Sequence, residues 1–161
     1  MRLLVAMSAS LAMLAVARAS ATDNPVDLAL VLAVDASASV DDDEQYLQRQ
    51  GYVAAFQSPL VLSAIRSGPL RRIAVTYIEW GDSDTQAIVV PWTVIEDKTS
   101  QMAFAFNIAD ARINHFFGTS IAGALRYSGA LSQQVPAGPG ARWDLGFVCR
   151  DQGRLSPREE T

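Results

Sequence analysis

The sequence predicts an α/β fold with a mostly parallel sheet and one antiparallel edge strand, and three observations carry that prediction. Val26 to Val34 (VDLALVLAV) is apolar almost throughout. A strand with so little polar alternation is covered on both faces, as in a parallel sheet held between helices. Next, this run passes into a helical pattern rather than into a hairpin turn. Finally, Arg72 to Trp80 and Gln86 to Trp92 both read as strands, and the Gly81-Asp82-Ser83-Asp84 turn between them is too short for a crossover, so they pair antiparallel. The order strand, helix, hairpin, helix, loop, helix is that of a layered α/β domain.

At 161 residues the chain has room for one domain with one core. Residues 1–21 have the pattern of a secretory signal peptide: Arg2, a mainly apolar stretch from Leu3 to Val16, and small-x-small sites at Ala17-Arg18-Ala19 and Ala19-Ser20-Ala21. The apolar run is shorter than the roughly 20 residues that span a bilayer. A periplasmic or secreted location is therefore expected, with no stable membrane span after cleavage. Residues 22–134 form the domain proper on this reading, and residues 135–161 an irregular tail.

Within the domain, the first strand ends at Asp35-Ala36-Ser37-Ala38-Ser39, and the acidic run Asp41 to Glu44 opens a helix. Ser39 or Asp41 suits its N-cap, and the acids suit the positive end of the helix dipole. Tyr46, Leu47, Val53, Ala54 and Phe56 are the candidates for its buried face. Pro59 interrupts this helix, leaving Leu60 to Ile65 as a short second one stopped by Gly68-Pro69. The second strand, Arg72 to Trp80, is rich in β-branched and aromatic residues. Pro91 in the third marks a sheet edge. Ser100 to Ile113 is helical, with Met102, Phe104, Phe106 and Ile108 among its apolar residues. Phe117 to Ser120 is a loop, and Ile121 to Leu131 a last helix capped by Thr119 or Ser120. Val135 to Gly140 (VPAGPG) is rich in breakers, and no helical period follows it.

Composition excludes several functions. A formal net charge of -4 and the absence of a Lys/Arg cluster argue against a nucleic-acid partner. One cysteine, Cys149, can form neither an internal disulfide nor a thiolate zinc site. One histidine, His115, leaves no His-rich metal centre and reads as a partly exposed helix-end residue. Any metal must be held by oxygen, which suits hard cations such as Mg²⁺, Mn²⁺ or Ca²⁺. Asp-x-Ser-x-Ser just past a buried strand supplies such oxygens. Alternate residues of an extended chain point the same way, so the Asp35 carboxylate and the Ser37 and Ser39 hydroxyls can converge. Capping of the next helix is the competing role for the serines. The Asp41 to Glu44 run reads as a solvated helix start rather than a second cation site, Glu79 as facing the site rim or equally as an alternate polar position in a half-exposed strand, and Trp80 and Trp92 as sheet packing.

This combination of a first-strand DASAS and a later GTSIAGAL resembles the von Willebrand factor A domain and its metal-ion-dependent adhesion site. The stretch from VDLALVLAVDASASV through GYVAAF, AIRSGP, RIAVTYIEW and VVPWTVI to GTSIAGAL is similar to a bacterial family of exported proteins with such a domain, DUF1194. The resemblance covers residues 26–131 and implies a three-layer, Rossmann-like fold. It also implies a metal site of Asp35, Ser37, Ser39 and Thr119 that binds Mg²⁺ (or Mn²⁺ or Ca²⁺) and takes a carboxylate from a protein partner. It implies no established activity; the few-charge oxygen set itself reads as a binding module that grips a partner's carboxylate, not as an enzyme. In that family a further strand after the Thr loop ends in a third-loop Asp. Here ARWDLGFVCRDQGRL stands in its place, and Asp144 and Asp151 follow no convincing strand. The expectation is a fold incomplete at the C-terminus, through truncation or a frameshift after about Gln134, with exposed sheet edges and marginal stability. The alternatives are a non-functional fragment of the module, or a phosphatase-like enzyme using Asp35 as nucleophile. Against the second, phosphatases of the haloacid-dehalogenase type usually place another Asp where Ser37 stands. A serine hydrolase fits poorly, with no Gly-x-Ser-x-Gly and a single histidine.

Overall fold

The computed structural model describes residues 25–135 and 137–148. The signal-peptide reading of residues 1–21 falls outside them, as do Cys149 and Asp151. Eight elements follow in order: β1 (Val26–Asp35), α1 (Asp42–Gln57), α2 (Pro59–Ile65), β2 (Ile73–Trp80), β3 (Gln86–Ile95), α3 (Lys98–Asp110), α4 (Ile121–Ser132) and β4 (Ala137–Val148). The strands form one sheet in the order β3-β2-β1-β4. β1 runs parallel to both β2 and β4, and β2 pairs antiparallel with β3. The predicted hairpin is therefore present, and its third strand lies at the edge that Pro91 marks.

Side chains of β1 leave alternately on opposite faces. Leu32 and Val34 join a core with Val53 and Phe56 of α1, Val75 and Tyr77 of β2, and Phe104 and Ile108 of α3. Val31 and Ala33 join a second core with Ile78 and Trp80 of β2 and with Ala124 and Leu131 of α4. The molecule is thus a three-layer α/β fold, with α1 and α3 on one face of the sheet and α4 on the other. Both inner strands carry apolar residues on both faces, which is why they read as continuous runs.

Helix ends follow local chemistry. Asp41 caps α1 in a capping box: its carboxylate accepts the Glu44 N–H at 2.9 Å, and Glu44 reaches back to the Asp41 N–H. The chain breaks at Ser58, whose hydroxyl caps α2 ahead of Pro59. Asp97 caps α3, and its hydrogen bonds from Ser100 hold its carboxyl below the usual range.

Three expectations need correction. The buried stripe of α1 is Gln45, Arg49, Val53 and Phe56, whereas Tyr46, Leu47 and Ala54 are exposed. The helix predicted over 100–113 runs from Lys98 to Asp110, so His115 stands in the loop beyond its end. Finally, the irregular tail expected from residue 135 contains a strand. β4 pairs with β1 from Leu28↔Arg142 to Val34↔Val148. The register jumps between Val26↔Ala137 and Leu28↔Arg142, so Pro139 and its glycines fall at a bulge, where proline is tolerated. Those residues hid the strand in the sequence. Among the described residues, the sheet edge anticipated on β1 falls instead on β4. No described helix is long and apolar enough to cross a membrane.

Phe104 is fully buried and packs edge-on against Phe56 with ring centroids 4.7 Å apart. Phe104→Ala is expected to destabilise the fold by about 3–5 kcal/mol in urea unfolding. Phe106→Ala, on the exposed side of the same helix, is expected to change stability by less than about 0.5 kcal/mol. Burial also raises the Tyr52 phenol from 10.0 to about 12 and pushes that of Tyr77, which meets Tyr52 edge-on, upward as well. A phenol raised in the fold contributes stability that is present below the unfolded value of 10.0 and is lost as pH climbs toward about 12. The thermal unfolding midpoint is therefore expected to fall over that window, and Tyr52→Phe to lessen the loss.

Candidate functional site

The carboxyl ends of the two central strands and two loops that lie across them build the candidate site. β1 ends at Asp35, opposite Trp80 at the end of β2. Asp35 and Ser37 are each only 1% exposed, while Ser39 stands at the surface. The Asp35 carboxylate accepts the Ser37 N–H at 2.9 Å, and the Ser37 and Ser39 hydroxyls lie 3.0 Å apart. The turn is held by Ala36 N–H donating to the Trp80 carbonyl and Val40 N–H to that of Ser37, both at 2.9 Å. The three residues picked from the DASAS spacing therefore sit on one tight loop. The N-cap of α1 is Asp41, so Ser39 is not its cap.

Thr119 comes to this end of the sheet on the loop between α3 and α4. Phe116 N–H donates to the Ala36 carbonyl at 2.9 Å, and Ser37 and Phe116 form a short parallel bridge. Ser120 N–H donates to the Gly81 carbonyl at 2.7 Å. Thr119 lies between these two anchors and is exposed. The cap of α4 is Ser120, which accepts the Gly123 N–H at 3.1 Å, so Thr119 is not a cap. Two glycines make the approach possible. A Cβ on Gly81 would meet that of Phe116 at 2.3 Å, and Gly118 takes a left-handed φ of 75° against the Asp82 side chain.

Sequence reasoning missed what holds this loop. Glu79, expected on a half-exposed strand, is buried, and β2 is covered along its whole length. Its carboxylate pairs with the guanidinium of Arg49, itself buried on α1. Arg49 also donates to the carbonyls of Ala111 and, at 3.1 Å, Arg112, just past the end of α3. The other Glu79 oxygen accepts from the Asn114 N–H at 3.1 Å and the Asn114 side-chain amide at 2.8 Å. One ion pair thus joins α1, β2 and the start of the loop that carries Thr119. A signal was present in the sequence: Arg49 falls on the same helical stripe as Val53 and Phe56.

Other candidates stand apart. His115 is more than half exposed, 3.8 Å from Asp42; both line a shallow acidic groove with Asp41 and Asp43. Asp144 pairs with Leu30, five residues before Asp35. At about 3.3 Å per strand residue, that puts it far from the site. The end of β4, by contrast, is level with Val34, beside Asp35. Among the described residues no group of three or more His, Cys, Asp or Glu side chains could hold a metal.

A family model described as "Protein of unknown function (DUF1194)" matches residues 25–142. No curated protein matches the chain. Among solved structures, the three N-terminal domains of the type V pili tip protein Mfa5 from Porphyromonas gingivalis are similar, with 11% identity and a TM-score of 0.46. That match covers 74% of this chain but only 19% of the other.

Removing Arg49 would leave the Glu79 charge buried and unpaired. Arg49→Met is expected to destabilise the protein by about 3–5 kcal/mol. The double variant Arg49→Met/Glu79→Gln is expected to lose clearly less than the sum of the two single losses in denaturant titrations.

Proposed function

The chain belongs to the DUF1194 family of proteins of unknown function, and from its site we propose that it is an exported, metal-dependent protein-binding module of the von Willebrand factor A type. Asp35, Ser37, Ser39 and Thr119 would hold the ion. The observation that carries this reading is the pairing of the Ser37 and Ser39 hydroxyls, 3.0 Å apart, on the loop that the buried Asp35 carboxylate braces. The donors are all oxygen and carry one formal charge. Such a set suits Mg²⁺, with Mn²⁺ or Ca²⁺ as substitutes, and it leaves a bound ion short of negative ligands.

A cation in that position supplies Lewis acidity toward an external carboxylate, which is a means of gripping a partner's Asp or Glu. The residues of the chain have separate tasks. Asp35 supplies the charge and, through the Ser37 N–H, sets the turn. Ser37 and Ser39 offer neutral oxygens whose protons can point away from a cation. Thr119 would add a further hydroxyl from the neighbouring loop. The set has a single carboxylate, where a phosphatase using Asp35 as nucleophile usually has a second Asp in place of Ser37, and a module that binds without turnover fits it better.

Calorimetric titration with Mg²⁺ and Mn²⁺ tests the reading. Binding is expected in the native chain. Asp35→Asn keeps an oxygen for the Ser37 N–H but removes the charge, and it is expected to weaken binding at least tenfold, about 1.4 kcal/mol or more. Asp42→Asn, on the exposed start of α1, is expected to leave it unchanged. Absence of binding, or binding indifferent to Asp35→Asn, would overturn the proposal.

A further inference from the structure

The two edges of the sheet are unlike. β3 carries Pro91 within its length, and proline in an edge strand discourages another chain from pairing there. β4 is the other end of the sheet, and its bulge is confined to the stretch before Arg142. From Arg142 to Val148 it is in regular register with β1, and among the described residues no element pairs with its outer edge.

Arg142, Trp143 and Asp144 are exposed, Trp143 to 43%. The Leu145 N–H donates to the carboxylate of its own neighbour Asp144 at 2.9 Å. Beside the strand, a cavity of about 250 Å³ opens between β4 and α4, lined by Trp143, Leu145, Leu125 and Ser128. Leu125 is 47% exposed, and the buried Ser128 hydroxyl has no hydrogen-bond partner among the described residues. A groove of mixed polar and apolar lining thus runs alongside this strand.

We propose that a second copy of this chain pairs with the outer edge of β4, antiparallel and centred on Trp143, to form a two-fold dimer whose sheet joins the four described strands of each copy. The charge pattern is the argument for this occupant. Charges usually guard an edge by repulsion between like signs. Here the charges flanking the centre are opposite in sign. An antiparallel pair centred on Trp143 sets Arg142 opposite the second copy's Asp144, and Asp144 opposite the second copy's Arg142. Both contacts lie on one face of the sheet, as cross-strand neighbours. The two Trp143 rings meet on the other face, over the grooves beside α4. A closed two-fold contact uses the same patch twice and leaves no free end to propagate. Antiparallel pairing also points the two β1 ends in opposite directions. If the metal-site reading holds, the dimer presents two sites facing away from each other. The dimer itself does not depend on that reading.

Sedimentation velocity on the protein purified after expression of the full chain tests this. The native protein is expected to be dimeric at micromolar concentration. Arg142→Asp and Asp144→Arg each set like charges across the interface, and each is expected to weaken dimerisation at least tenfold while circular dichroism stays unchanged. An equimolar mixture of the two variants restores both opposite-charge contacts, and it is expected to form a heterodimer. A native protein that stays monomeric, a dimer indifferent to either substitution, or a mixture that fails to associate would overturn the proposal.

Discussion

The buried pair between Arg49 and Glu79 is the interaction on which the arrangement of the site depends. Each partner alone would be an uncompensated charge in the core between α1, α3 and the sheet, and such a charge is strongly unfavourable. Together they satisfy one another, and their remaining hydrogen-bonding capacity is directed at one segment. Arg49 takes the carbonyls of Ala111 and Arg112, and Glu79 takes both N–H donors of Asn114. The chain leaving α3 is therefore fixed at the carboxyl end of β2. From there it can reach only a short way, and Phe116 and Ser120 bind backbone groups at Ala36 and Gly81. The position of Thr119 beside the DASAS loop follows from a charge pair that has no part in the site's own chemistry.

β1 supplies the second constraint. Among the described strands it alone has parallel neighbours on both sides, and its alternate residues feed two separate cores. A strand so placed cannot slip by one residue without sending both sets of side chains to the wrong face. The fixed register places Asp35 level with Trp80, at the end of the buried region. The carboxylate and its serines are thus presented by the most constrained strand of the molecule, which suits a site that needs its oxygens held in place.

Much of this was legible in the sequence because it rests on local patterns. The apolar run of β1, the short turn before β3, the break at Pro59 and the Asp-x-Ser-x-Ser spacing each have a local physical meaning, and the structure has the corresponding elements. The misses share another cause. Hydrophobicity groups Tyr46 and Leu47 with Val53, but the helix turns its Gln45–Arg49 stripe inward because Arg49 pairs with the buried Glu79. β4 was hidden by the glycines and Pro139 of its bulge, since its partner lies more than a hundred residues away in β1. A strand stabilised by a distant neighbour need not show any period of its own.

By itself, the sequence determined the fold class, the edge position of β3 and the identity of the three residues on the β1 loop, because hydrophobic periodicity, turn length and alternate side-chain direction act over a few residues. Only the tertiary structure decided which helix face is buried, that residues 137–148 complete the sheet beside β1, and that the loop bearing Thr119 is tied to Ala36 and Gly81. Those outcomes rest on a salt bridge, a strand pairing and backbone hydrogen bonds between residues far apart in the chain, and no local pattern encodes them.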